Sequence, residues 1–132
     1  MPPSRETDTQ FLNVDLDIRA EHDLDALLEH FADSAFVLNR TTDFASVELN
    51  SSGEDPTLEE TIRGFATLIE GLPGAGQRIW DQCQSRSMNI GIQAGREPHS
   101  VEFVLSKESI NRLAAIGCEI AITVYGARVV ES

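Results

Sequence analysis

One stretch, from Ser100 to Ala127, constrains the fold more than any other part of the chain. It reads SVEFVLSKESINRLAAIGCEIAITVYGA. Val101, Phe103 and Leu105 alternate with Glu102 and Val104, the period of a strand with one buried face. Ser106 suits a helix N-cap, because its hydroxyl can accept from the free N–H groups of the first turn. Leu105 before the cap and Ile110 in the second turn have the spacing of a hydrophobic staple. Ile110, Leu113 and Ala114 extend an apolar stripe, and Gly117 can take the left-handed conformation that ends a helix. Cys118, Ile120, Ile122 and Val124 then alternate through a final strand. Strand, helix and strand over this length predict a right-handed crossover between parallel strands.

The upstream chain supplies the rest of the sheet. Leu12, Val14, Leu16 and Ile18 alternate with Asn13, Asp15, Asp17 and Arg19, so residues 10–19 read as a strand buried on one face. Asp23 is placed to cap a short helix with Leu24, Leu27, Leu28 and Phe31 on one side. Residues 34–39 and 44–50 read as a hairpin turning at Arg40–Asp43. Thr57 and Glu60 have capping-box spacing ahead of a long helix striped by Leu58, Ile62, Phe65, Ile69 and Leu72. The glycine-rich segment 71–76 breaks that helix, and 77–84 reads as a second, short one. Met88, Ile90, Ile92 and Ala94 alternate as another one-sided strand. The expected fold is a single α+β domain over residues 10–132, behind a flexible N-terminal tail at 1–9. Its mixed sheet has about six strands with helices packed mainly on one face, in the order β-α-β-β-α-α-β-β-α-β.

If the helices cover one face, the other carries the polar alternates Asn13, Asp15, Asp17, Glu48, Asn50, Gln93, Glu102, Thr123 and Tyr125. Charge makes this face interesting. The 132 residues carry 22 Asp and Glu against 10 Lys and Arg, a net charge of -12. Residues 1–60 hold 15 acidic and 3 basic side chains, whereas 61–132 hold 7 of each, so the whole excess lies in the first half. Such a field repels nucleic-acid phosphates and anionic membranes and attracts basic partners.

Catalytic signatures are missing. His22, His30 and His99 are the three imidazoles, without a nucleophile elbow or a zinc-binding His-Glu pattern. The glycine segment follows a helix and lacks the lysine of a phosphate loop. Cys83 and Cys118 read as small buried hydrophobes rather than as metal ligands or a disulfide framework. We assign no catalytic, cofactor-binding or metal residues and expect no cofactor. No run reaches the length of a membrane span and MPPSRETDT has no apolar signal region, so a cytoplasmic protein is expected.

The segment LSKESINRLAAIGCEIAITVYG resembles the C-terminal signature of a bacterial family labelled domain of unknown function 4279. The matching positions are Leu105, Ser106, Glu108, Leu113, Ala114, Ile116, Gly117 and Tyr125. The helix at 57–72, the Trp80 region and the strand at Asn89–Ile92 are similar in type and order. Many members open a mid-chain strand with Trp, where this chain has Ser46 or Val47. The resemblance implies a small bacterial accessory protein of the immunity-protein kind, one that neutralises a toxin. The expectation is therefore a protein-binding module for a basic partner, with Asp15, Asp17, Glu48, Asn50, Glu102 and Tyr125 supplying the surface. Two alternatives compete with it: an enzyme working with carboxylates on the open sheet face, small-molecule or metal-dependent, and a homo-oligomer, such as a homodimer, joined through the sheet.

Overall fold

A computed structural model describes residues 8–50 and 55–127. The chain is α+β, with five strands in one mixed sheet and four helices. In order these are β1 (Gln10–Arg19), α1 (Leu24–Phe31), β2 (Ala35–Arg40), β3 (Phe44–Leu49), α2 (Leu58–Glu70), α3 (Gly74–Gln82), β4 (Ser85–Gln93), α4 (Lys107–Ala115) and β5 (Glu119–Tyr125). The sheet runs β2-β3-β1-β4-β5. β1 lies antiparallel between β3 and β4, β2 and β3 form the expected hairpin, and β4 and β5 are parallel.

The crossover at the C-terminus starts from a different strand than the sequence suggests. Residues 101–105 belong to no strand or bridge, so the parallel partner of β5 is β4 and the expected strand there does not form. The expected alternation at 101–105 exists, yet Val101, Phe103 and Val104 stay exposed. A strand needs a ladder as well as a pattern, and β5 already fills the position beside β4.

Caps explain where the helices begin. Thr57 accepts from the Glu60 N–H at 3.1 Å while Glu60 accepts from the Thr57 N–H at 3.0 Å, closing the capping box. Ser106 accepts from the Ser109 N–H at 3.1 Å. Asp23 departs from expectation: it precedes α1 with a φ of 62° and its side chain makes no capping bond. The helix starts instead on a backbone bond, the Leu27 N–H to the Asp23 carbonyl. The short helix α3 begins earlier than expected, because Pro73 sets its N-terminus and takes Gly74 and Gly76 into it. Close packing exploits Gly76, where a Cβ would meet the His30 ring at 3.1 Å.

The core lies between the helices and one face of the sheet. Val14, Leu16 and Ile18 of β1, Ala45 and Val47 of β3, and Met88 and Ile90 of β4 meet Ile62, Phe65 and Ile69 of α2. Trp80 is buried, and its indole N–H donates to the Ile116 carbonyl at 2.8 Å, tying α3 to the end of α4. Arg86 stacks on that ring 5.6 Å from its centroid and donates to the Trp80 and Gly117 carbonyls. Gly117 has a φ of 75°, as its place after α4 requires. Ile110 is exposed, so the staple with Leu105 does not form. The buried face of α4 is Ser109 and Leu113, and the Ser109 hydroxyl donates to the Glu59 carboxylate of α2.

Two smaller corrections concern β1 and the N-terminus. A register shift between Phe11 and Asn13 turns Phe11 toward the core and leaves Leu12 exposed, breaking the alternation at its first member. Of the expected tail, residues 1–7 lie outside the described residues. Asp8 and Thr9 are held, by a bridge to Glu97, a Thr9 N–H bond to the Glu97 carbonyl and a bond from the Gly95 N–H to the Thr9 hydroxyl.

Phe65 has no solvent exposure and sits at the centre of the α2 stripe. Phe65→Ala is expected to cost about 3–5 kcal/mol of stability, read as a shift in the denaturant midpoint at unchanged slope.

Candidate functional site

The face of the sheet opposite the helices is built by the odd-numbered residues of β1. Because Val14, Leu16 and Ile18 point into the core, Asn13, Asp15 and Asp17 must point away from it. Register then brings neighbours to them. Asp17 lies between Ser46 of β3 and Ser87 of β4, and Asp15 lies beside Asn89. The Ser46 hydroxyl donates to Asp17 Oδ1 at 2.8 Å. Asn13 Nδ2 donates to Asp15 Oδ1 at 3.0 Å and to Glu48 Oε2 at 3.4 Å. The Thr123 hydroxyl of β5 donates to Asn89 Oδ1 at 2.8 Å. Asn13 sits over Gly91, where a Cβ would approach its Oδ1 to 2.8 Å, so a side chain on residue 91 would displace the bridging amide.

Three carboxylates thus gather at the middle of the sheet, and Asp15 carries the strain of it. Partial burial pushes its carboxyl up to about 6, and the charges of Glu48 and then Asp17 push in the same direction. Among the described residues no cation lowers it. By register, Arg19 is the one cationic strand residue on this face, and it is taken up by Asp43 at 3.1 Å and by the Phe44 ring. Arg40 and Arg86 point to the helix side, engaged with Asp25 and with Trp80 respectively.

The structure brings together half of the side chains expected at this surface. Asp15, Asp17 and Glu48 are neighbours. Asn50 follows β3, exposed, with its side chain on the Asp33 carbonyl rather than on the carboxylates. Tyr125 is exposed at the end of β5, on the outer strand of the sheet. Glu102 does not belong to the sheet at all, because residues 101–105 form no strand. Gln93 is buried, its amide spent on the Ala94 and Gly126 carbonyls. Residues that pattern reading missed are the polar partners Ser46, Ser87 and Asn89. Their signal is register, which sequence alternation does not carry.

A cleft of about 510 Å³ opens beside this face, between the first half of β1, the end of β3 and the start of α2. It lies where the β1–β3 ladder, which runs from Leu16↔Val47 to Arg19↔Phe44, leaves the first half of β1 and the end of β3 outside the pairing. Asn13, Glu48, Asn50, Asp55 and Glu60 supply its polar lining and Phe11, Leu12 and Leu49 its apolar one. Asp15 and Asp17 do not line it. Among the described residues no group of three or more His, Cys, Asp or Glu side chains could hold a metal ion. Both thiols are held above the usual range by burial, Cys118 at about 12, which leaves neither as a thiolate nucleophile. Among the described residues, too, no helix is long and apolar enough to cross a membrane.

No family model matches the chain, and no similar protein was found among curated sequences or solved structures.

The Asp15 carboxyl titrates higher in the folded chain than in the unfolded one. Its ionisation therefore costs stability as pH rises from near 4 to above 6. Asp15→Asn keeps an acceptor for Asn13 and removes that cost. We expect it to stabilise the fold by about 1 kcal/mol at pH 7, the shift being discounted for partial solvent screening, and to change nothing near pH 4. Thermal melts of both proteins at the two pH values measure this.

Proposed function

We propose that this chain is a protein-binding module whose open sheet face receives a basic protein partner. The observation that carries the reading is the row of Glu48 on β3 with Asp15 and Asp17 on the central strand β1, whose same-face strand cation, Arg19, is already engaged. A carboxylate whose ionisation is opposed by partial burial and by like-charged neighbours is relieved when a guanidinium or ammonium group arrives, so the site favours a cation from outside. Ser46 holds Asp17, and Asn13 holds Asp15 and Glu48, through hydrogen bonds, so little side-chain freedom is lost on binding. Nucleic-acid phosphates and anionic lipid would meet repulsion at the same surface. In its specific form, taken from the resemblance of residues 105–126 to the unknown-function family 4279, the module is a bacterial cytoplasmic immunity protein that masks a basic toxin surface.

An enzymatic use of the same carboxylates finds less support. The perturbed group, Asp15, does not line the cleft beside it, so a substrate bound there would not meet it.

Two measurements test the binding reading, on a partner recovered by co-purification from the native host. Asp15→Asn/Asp17→Asn is expected to slow association about tenfold at low ionic strength, with the difference shrinking as salt is added. Affinity for the unaltered chain is expected to fall as pH drops below 6, because Asp15 must give up its proton to meet a cation. A partner whose association ignores salt, pH and both substitutions would remove this reading.

A further inference from the structure

The two edges of the sheet are built differently. β2, at one edge, carries a register shift between Val37 and Asn39 and ends in Arg40, which is ion-paired to Asp25. A bulge and a charge are the usual means by which an edge strand avoids pairing with another chain. β5, at the other edge, has none of them. Its seven residues pair with β4 in unbroken register and contain no proline, no lysine and one charge, Glu119. The side chains that should meet a helix layer do not: Ile120, Ile122 and Val124 are 40%, 61% and 59% exposed. A regular, apolar, uncovered edge strand is a template for pairing.

We propose that β5 is an interface to a second copy of this chain, pairing antiparallel with the partner's β5 about a twofold axis at Ile122. The strand's own sequence argues for this occupant. Centring the axis on Ile122 uses the whole strand. It sets Ile122 opposite its own copy, Ile120 opposite Val124 and Ala121 opposite Thr123. Glu119 then faces Tyr125, so no like charges stand directly opposite. The two copies of Glu119 lie six residues apart along the strands, about 20 Å, beyond a Debye length at physiological salt. On a protein of net charge -12, a second copy meets little local repulsion at a strand carrying a single charge at one end. The contact is isologous and closes at two copies, joining two five-stranded sheets into one of ten with both helix layers on the same side.

Sedimentation velocity on the full chain, from micromolar to submillimolar concentration, tests the interface. A dimer is expected, and Ile122→Lys should raise its dissociation constant by about a hundredfold or more, since it sets two ammonium groups together at the axis. The exposure of Ile122 means that this variant should retain the circular dichroism spectrum and melting behaviour of the parent. The pair Tyr125→Glu and Tyr125→Lys tests the register on the intact apolar row. The first puts like charge opposite Glu119 and should weaken the dimer about fivefold, less in high salt, while the second should leave it as tight or tighter. A chain monomeric throughout, a dimer indifferent to Ile122→Lys, or equal effects from the two Tyr125 variants would each overturn the proposal.

Discussion

Everything in this molecule is referred to β1, the middle strand of the five, paired antiparallel with β3 on one side and β4 on the other. A strand in that position has no free edge, so its side chains can differ only by face. Val14, Leu16 and Ile18 fill one face and fix the register of β3 and β4 around the core, since a slip of one residue would turn all three into water. The same register then dictates where Asp15 and Asp17 go. The carboxylates sit mid-sheet because the apolar residues between them must be buried, and the field they create is inherited by any surface that docks there.

Much of this was legible in the sequence wherever a local rule decided the outcome. The capping box at Thr57, the cap at Ser106, the hairpin of β2 and β3, the α2 stripe and the left-handed Gly117 all follow from residues a few positions apart. The failures share a cause. Residues 101–105 alternate as a strand should, but the site beside β4 is filled by β5, and competition for a ladder is not visible in a local pattern. Leu12 and Ile110 have the right spacing for burial and remain exposed: a register shift turns Leu12 outward, and α4 buries Ser109 and Leu113 instead of Ile110. The mid-chain strand at residues 44–49 shows the opposite case, with Ser46 buried by a cross-strand partner that no spacing reveals.

The candidate surface divides along the same line. Asp15 and Asp17 are two apart on one strand, and period two suffices to put them together. Glu48 joins them because β3 lies beside β1 and the Asn13 amide reaches it, and the alternation of β3 made its face available to reading. Glu102 was carried to the surface by a strand that does not exist. Distance along the chain mattered less than whether each residue's element was itself correctly paired.

The pairing of β1 with β4 also has a consequence in time. Gln10 meets Gln93, and Arg19 meets Ser85, so the central ladder closes over most of the chain. Contacts of such sequence separation slow folding, because loop entropy must be spent before the pairing rewards it. During synthesis at 5–20 residues per second, β1 is completed roughly 4–15 s before the last residue of β4 is made. Over that interval the hairpin of β2 and β3 can form and take one edge of β1, while the other edge and the apolar face of Val14, Leu16 and Ile18 wait. The acidic alternates on the same strand then act as gatekeepers, spacing each apolar residue from the next with like charge that discourages two nascent chains from pairing through β1 before its own partner arrives.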